Sequence, residues 1–145
     1  MTLDPGFEKV YTVTGYYDGP RQGTADFNGT PHLFVSEFEN ETQEFGMYRV
    51  SPVTGEVFEL ALEDWAIWRR WETAFHKGLV TTETHPALPE DRHRHLELEQ
   101  LLQTALVLDE NNVRNVEAVF RPRTDPDWNQ LGARPLQVNW ITPAR

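Results

Sequence analysis

The longest hydrophobic pattern in the chain has a helical period. Val57, Phe58, Leu60, Ala61, Leu62, Trp65, Ile67, Trp68, Trp71 and Phe75 gather on one side of a helical wheel. At about 100° per residue their arc is roughly 220° wide, well beyond the stripe of an ordinary surface helix. That width predicts a helix buried on two sides, or one that shows aromatic surface to a partner. The helix is expected to open at Ser51-Pro52, where proline is tolerated in a first turn, and to end at Lys77-Gly78, a cation followed by a C′ glycine. A second helical stripe, Leu98, Leu101, Leu102, Ala105 and Leu108, follows an acidic start at Pro89-Glu90-Asp91.

The rest of the chain reads as strands. Residues 8–17 (EKVYTVTGYY) are rich in Val, Tyr and Thr and show no helical period. The segment TADFNGTPHLFVSEF is a hairpin, because Asn-Gly accepts positive φ at both central positions of a type I′ turn. A two-residue loop at Asn28-Gly29 pairs Phe27 with Thr30 and Ala25 with His32. Ala25, Phe27, His32, Phe34 and Phe38 then share one face, and Thr24, Asp26, Leu33 and Val35 the other. Pro31 has no N–H for a ladder and is expected at an edge or beside a bulge. Residues 45–50, 113–121 and 134–142 supply the remaining strands, with Trp128 in the long connection between the last two. The order is β-β-β-β-α-α-β-β, and short turns between consecutive strands imply antiparallel pairing. The expected fold class is α+β: one domain over residues 1–145, an antiparallel and possibly curled β-sheet with two helices packed on one face.

Charge narrows the choice of partners. The formal net charge is −10, which disfavours nonspecific nucleic-acid binding and an anionic membrane surface. Residues 1–110 hold 8 Lys/Arg against 20 Asp/Glu, whereas residues 111–145 hold 5 against 3. The C-terminal piece is therefore a source of local arginine within an acidic body. There is no cysteine, so thiolate metal sites and cysteine nucleophiles are excluded. The first residues do not have the pattern of a signal peptide, and no apolar run has the length of a membrane span, so a cytoplasmic location is expected. Only two of the thirteen basic residues are lysine, a bias that fits a GC-rich bacterial genome.

Candidate chemistry gathers in two places. Tyr17, Asp18 and Arg21 stand at a turn, followed by Asp26 and His32 on the hairpin. On the long helix, Asp64 and Glu72 lie inside the apolar arc, where an unpaired charge is costly. Glu72 and His76 are at i and i+4 and can meet as an acid–base pair or as metal ligands, or can join Arg69 in a chain that neutralises a partly buried carboxylate. Trp68 offers a ring for stacking. His93-Arg94-His95 read as solvated surface. The nucleotide-binding glycine motifs and the GxSxG elbow do not occur, and no metal or cofactor is implied. A ligand site is expected between the turn at Asp18–Arg21, the hairpin at Asp26–His32 and the helix at Glu72–His76. The function expected is that of a small acidic, non-catalytic binding or interaction module, with a homodimer or another protein as partner. The alternatives are an enzyme using Asp26, His32, Glu72 and His76, and an acidic inhibitor or immunity-type protein.

Overall fold

The computed structural model of the chain describes residues 3–37, 46–123 and 134–142. The fold is mixed α+β, with six antiparallel strands and two helices, and it divides into a barrel unit and a helical unit. Phe38 and Trp128 lie outside the described residues.

The barrel is built from β1 (Glu8–Tyr16), β2 (Pro20–Phe27), β3 (Thr30–Ser36), β4 (Gly46–Pro52), β5 (Arg114–Pro122) and β6 (Leu136–Ile141). Each strand pairs with the next, and β6 returns to β1 through Glu8↔Val138 and Lys9↔Gln137, which closes the sheet. Closure abolishes both sheet edges. The β2–β3 register is the one expected from the Asn-Gly turn, with Phe27↔Thr30 and Ala25↔His32. Asn28 and Gly29 both have positive φ, 53° and 79°. The Glu8 carboxylate accepts from both turn amides, Asn28 N at 3.0 Å and Gly29 N at 2.7 Å.

Pro31 is accommodated without an edge. It faces Asp26 at a non-hydrogen-bonded pair, where neither residue would bond across the ribbon. The Asp26 carbonyl, turned away from β3, accepts from the Trp140 indole at 2.7 Å. Inward-facing side chains fill the barrel. Phe34, Tyr48, Phe120 and Trp140 make mutual ring contacts at 5.3–6.2 Å, with Val10, Ala25, Val50, Val116, Ala118 and Val138 between them. Between Val10 and Thr12 the β1–β2 register shifts, so Val10 faces inward with Ala25 while Thr12 turns outward with Thr24. The two threonine hydroxyls bond at 2.8 Å, and Thr24 N donates to Thr12 Oγ1 at 3.0 Å.

Ser51 and Pro52 extend β4 instead of opening the helix. Their partners in the β3 ladder are Leu33 and His32, and buried Ser51 accepts from Asp109 N at 3.0 Å. The first long helix, α1, runs from Gly55 to His76. After two short 3₁₀ turns, α2 spans Arg92–Ala105. Ile67, Ala87 and Leu98 form the core of the helical unit, with Leu60 and Leu102 against it. Charged pairs flank this narrow stripe. Arg94 forks onto Glu63 at 2.6 and 2.8 Å, and Arg70 forks onto Asp91 at 2.9 and 3.0 Å. These pairs complete the helix contact, so the α2 stripe is thinner than its sequence suggests: Leu101 is half exposed, and Leu108 lies beyond the helix end.

The wide arc of α1 is not uniformly buried. Trp71 is buried, stacks on Phe75 at 5.1 Å and donates its indole N–H to Thr84 Oγ1 at 2.9 Å. Trp65 and Trp68 are half-buried and lie against each other at 4.9 Å. Among the described residues, no helix is long and apolar enough to cross a membrane.

Candidate functional site

The ends of β2 and β4 and the starts of β3 and β5 meet at one mouth of the barrel. A cleft of about 530 Å³ opens there, lined by Phe27, Asn28, Thr30, His32, Pro52 and Asn111–Arg114. Its size falls within the range of small-molecule sites, about 300–1,000 Å³. Two turns shape it. One is the Asn28-Gly29 turn, pinned by Glu8. The other precedes β5, where the Asp109 carboxylate accepts from Asn112 Nδ2 at 2.6 Å and from Asn111 N at 3.1 Å. Those bonds, the Asn112 side chain first and the Asn111 amide second, hold the Asp109 carboxyl below its usual range. The bond from Asp109 N to Ser51 ties this turn to β4.

Two side chains carry the polar chemistry of the cleft. His32 is only 8% exposed and stands 5.1 Å from the Phe27 ring. Its Nδ1 lies 2.7 Å from the Thr30 carbonyl. A carbonyl can only accept, so Nδ1 carries the proton, and Nε2 is left as the acceptor of the neutral ring. Arg114 approaches the same Phe27 ring, with Cζ 5.9 Å from its centroid. Among the described residues no carboxylate pairs with it. Other arginines of the barrel unit are engaged. Arg49 meets Glu37 and Glu110, Arg121 meets Asp4, and Arg21 donates to carbonyl oxygens.

The residues singled out from the sequence are dispersed. Tyr17, Asp18 and Arg21 form the β1–β2 turn, with Asp18 at φ 53° and Arg21 donating to the Tyr17 carbonyl at 2.6 Å and to the Asp18 carbonyl at 3.3 Å. This turn is at the mouth opposite the cleft, about 23 Å away along the eight residues of β2. Asp26 shares β2 with that turn and lies on the outer face, whereas His32 lies on the inner one, so the two do not meet. The Tyr11 hydroxyl donates to Asp26 Oδ2 at 3.0 Å. Burial, and then this bond and charge, push Tyr11 up to about 12.

Trp68, Glu72 and His76 belong to the helical unit. Glu72 is buried and pairs with Arg69, the partner expected one turn away. His76 is exposed, with its ring edge-on to Phe75 at 5.5 Å. His95, expected as solvated surface, is a junction of this unit. Its Nδ1 meets Asp64 at 2.7 Å and its Nε2 meets Glu99 at 3.1 Å, which accounts for the carboxylate inside the α1 arc. A recess of about 100 Å³ beside it, lined in part by His85, Arg92 and His95, has room for only a few waters.

Sequence reasoning did not single out Arg114, Asn111 or Asn112. The signals were the basic balance after residue 110 and the Asp-Glu-Asn-Asn turn, neither of which identifies a partner on the hairpin. The fold and cleft define a small closed antiparallel barrel with a recess at one mouth. Comparison with known protein families, curated proteins and solved structures finds no match, so no activity follows from likeness.

Proposed function

We propose that the protein is a non-catalytic binding module whose ligand, a small polar molecule, occupies the cleft at the mouth of the barrel. One observation carries this reading. In a chain with ten more acidic than basic residues, Arg114 stands at the cleft with its charge against an aromatic ring and no carboxylate beside it among the described residues. Arg114 is exposed, and a guanidinium at a cleft with no carboxylate partner is available to a ligand. Of the carboxylates in the catalytic alternative, Asp26 accepts from Tyr11 through Oδ2 while its buried Oδ1 has no hydrogen-bond partner among the described residues, and Glu72 pairs with Arg69 in the helical unit. A thermal-shift screen against small polar metabolites tests the reading. At least one compound is expected to raise the melting temperature of the wild type and to leave Thr30→Trp, which fills the cleft from an exposed position, unchanged. Stabilisation that survives in Thr30→Trp, or no stabilisation across the panel, overturns it.

Individually exposed apolar side chains favour self-association as a second reading. Phe75, Leu79, Leu96 and Leu101 of the helical unit are exposed, and a twofold dimer is the commonest way to cover such area. Light scattering at micromolar concentration distinguishes the dimer from a monomer of 16.8 kDa.

A further inference from the structure

Arg114 and His32 both line the cleft, and each approaches the Phe27 ring, at 5.9 and 5.1 Å. We infer that the ligand is a 2-hydroxycarboxylate bearing one negative charge and a short apolar tail. The inference rests on the cleft being the ligand site.

The charge follows from the electrostatics around the cleft. Arg114 offsets one unit. Glu8 and Asp109 stand behind the two turns that shape the cleft, each bonded to turn amides. A dianion such as a phosphate monoester would meet the field of a chain at −10 with Arg114 as its one counter-charge in the cleft. A single carboxylate is matched by the guanidinium fork. A cation–π contact uses the charge of Arg114 and not its N–H donors, which stay available for two parallel bonds.

The hydroxyl follows from His32. With Nδ1 donating to the Thr30 carbonyl, Nε2 is the ring atom left to meet a ligand, and it accepts a hydrogen bond when it carries no proton. An acceptor deep in the cleft selects a donor, and a ligand O–H beside the carboxylate supplies one. Asn111 adds an amide that bonds to either group. The tail follows from the remaining lining, Phe27, Pro52 and Val113.

Three probes with a common phenyl tail test the carboxylate and its single charge: mandelate, its neutral amide mandelamide, and phenyl phosphate. Calorimetric titrations are run on the wild type, Arg114→Gln, Arg114→Lys and Thr30→Trp, each checked first by a thermal melt. Mandelate is expected to bind the wild type at least about tenfold more tightly than either analogue, as charge-assisted bonds require. Arg114→Gln is expected to weaken mandelate by at least about tenfold at an unchanged melting temperature, with Arg114→Lys between the two because it keeps the charge and loses the fork. Mandelamide binding as tightly as mandelate, with both abolished in Thr30→Trp, overturns the carboxylate and leaves the cleft standing. Phenyl phosphate binding more tightly than mandelate overturns the single charge. No binding of any probe to the wild type overturns the inference, and the metabolite screen with Thr30→Trp then judges the cleft by itself.

Discussion

Gly23→Ala is the sharpest test of how β1 and β2 approach each other. A Cβ at position 23 would stand 2.0 Å from the Thr12 carbonyl oxygen, 2.9 Å from its carbon and 2.8 Å from Phe34 Cζ. Comfortable carbon contacts are about 3.5–4.0 Å, so something must move by roughly an ångström. On one side is backbone, and on the other a fully buried ring. Overpacking of this kind costs about 1–3 kcal/mol. Moving Thr12 also breaks its bonds to the Thr24 amide and hydroxyl, and these groups are buried. Leaving them unsatisfied adds about 1–3 kcal/mol. A loss of about 2–6 kcal/mol is expected, a large part of the roughly 5–15 kcal/mol that holds an ordinary domain together. Urea denaturation followed by far-ultraviolet circular dichroism measures it. Gly55→Ala is the control, since its Cβ meets nothing within 4 Å, and a change within about 0.5 kcal/mol is expected. If Gly23→Ala costs less than about 1 kcal/mol, the close approach at the register shift is wrong, and the packing derived from it fails.

Two further perturbations address other parts of the molecule. Trp71→Ala should cost about 3–5 kcal/mol, because the ring is buried and its N–H is bonded, and Trp65→Ala or Trp68→Ala should cost less by at least about 1 kcal/mol; equal losses in urea melts would contradict the assignment of the α1 core. Tyr11, pushed up to about 12 from an ordinary 10.0, is neutral in the fold at pH values where the unfolded chain ionises, so its contribution is complete below pH 10 and disappears as pH rises through 12. Stability should therefore decline between pH 10 and 12, and less steeply in Tyr11→Phe; an identical decline in both proteins would contradict the half-buried Tyr11–Asp26 bond.

Local chemistry was legible in the sequence where a short segment determines its own geometry. Asn28-Gly29 dictates the hairpin register, and the structure reproduces it residue for residue. The same register already separates Asp26 from His32, so a site that needs both conflicts with the hairpin that carries them. Barrel closure was not legible. Gly46–Val50 pairs with Arg114–Ala118 across the whole helical segment, and Glu8 pairs with Val138 from the opposite end of the chain. No local pattern encodes such pairings. The charges inside the tryptophan arc divide in the same way. Arg69 is one helical turn from Glu72 and can be read from spacing, whereas His95 reaches Asp64 from the other helix. Arg114 was visible only as part of a basic balance after residue 110. Its place beside Phe27 comes from β5 lying next to β4 in the closed sheet.

The central claim is that the cleft between the Asn28-Gly29 turn and the start of β5 is where this protein meets its ligand. Backbone amide shift mapping during a mandelate titration tests it most directly. The largest changes are predicted at Asn28–His32 and Asn111–Arg114, with the Tyr16–Arg21 turn at the other mouth of the barrel unmoved. Changes concentrated at that turn or around His85 and His95 would contradict the account, whereas none at about 50 mM, well above a millimolar Kd, would overturn the hydroxycarboxylate and leave the cleft to the metabolite screen.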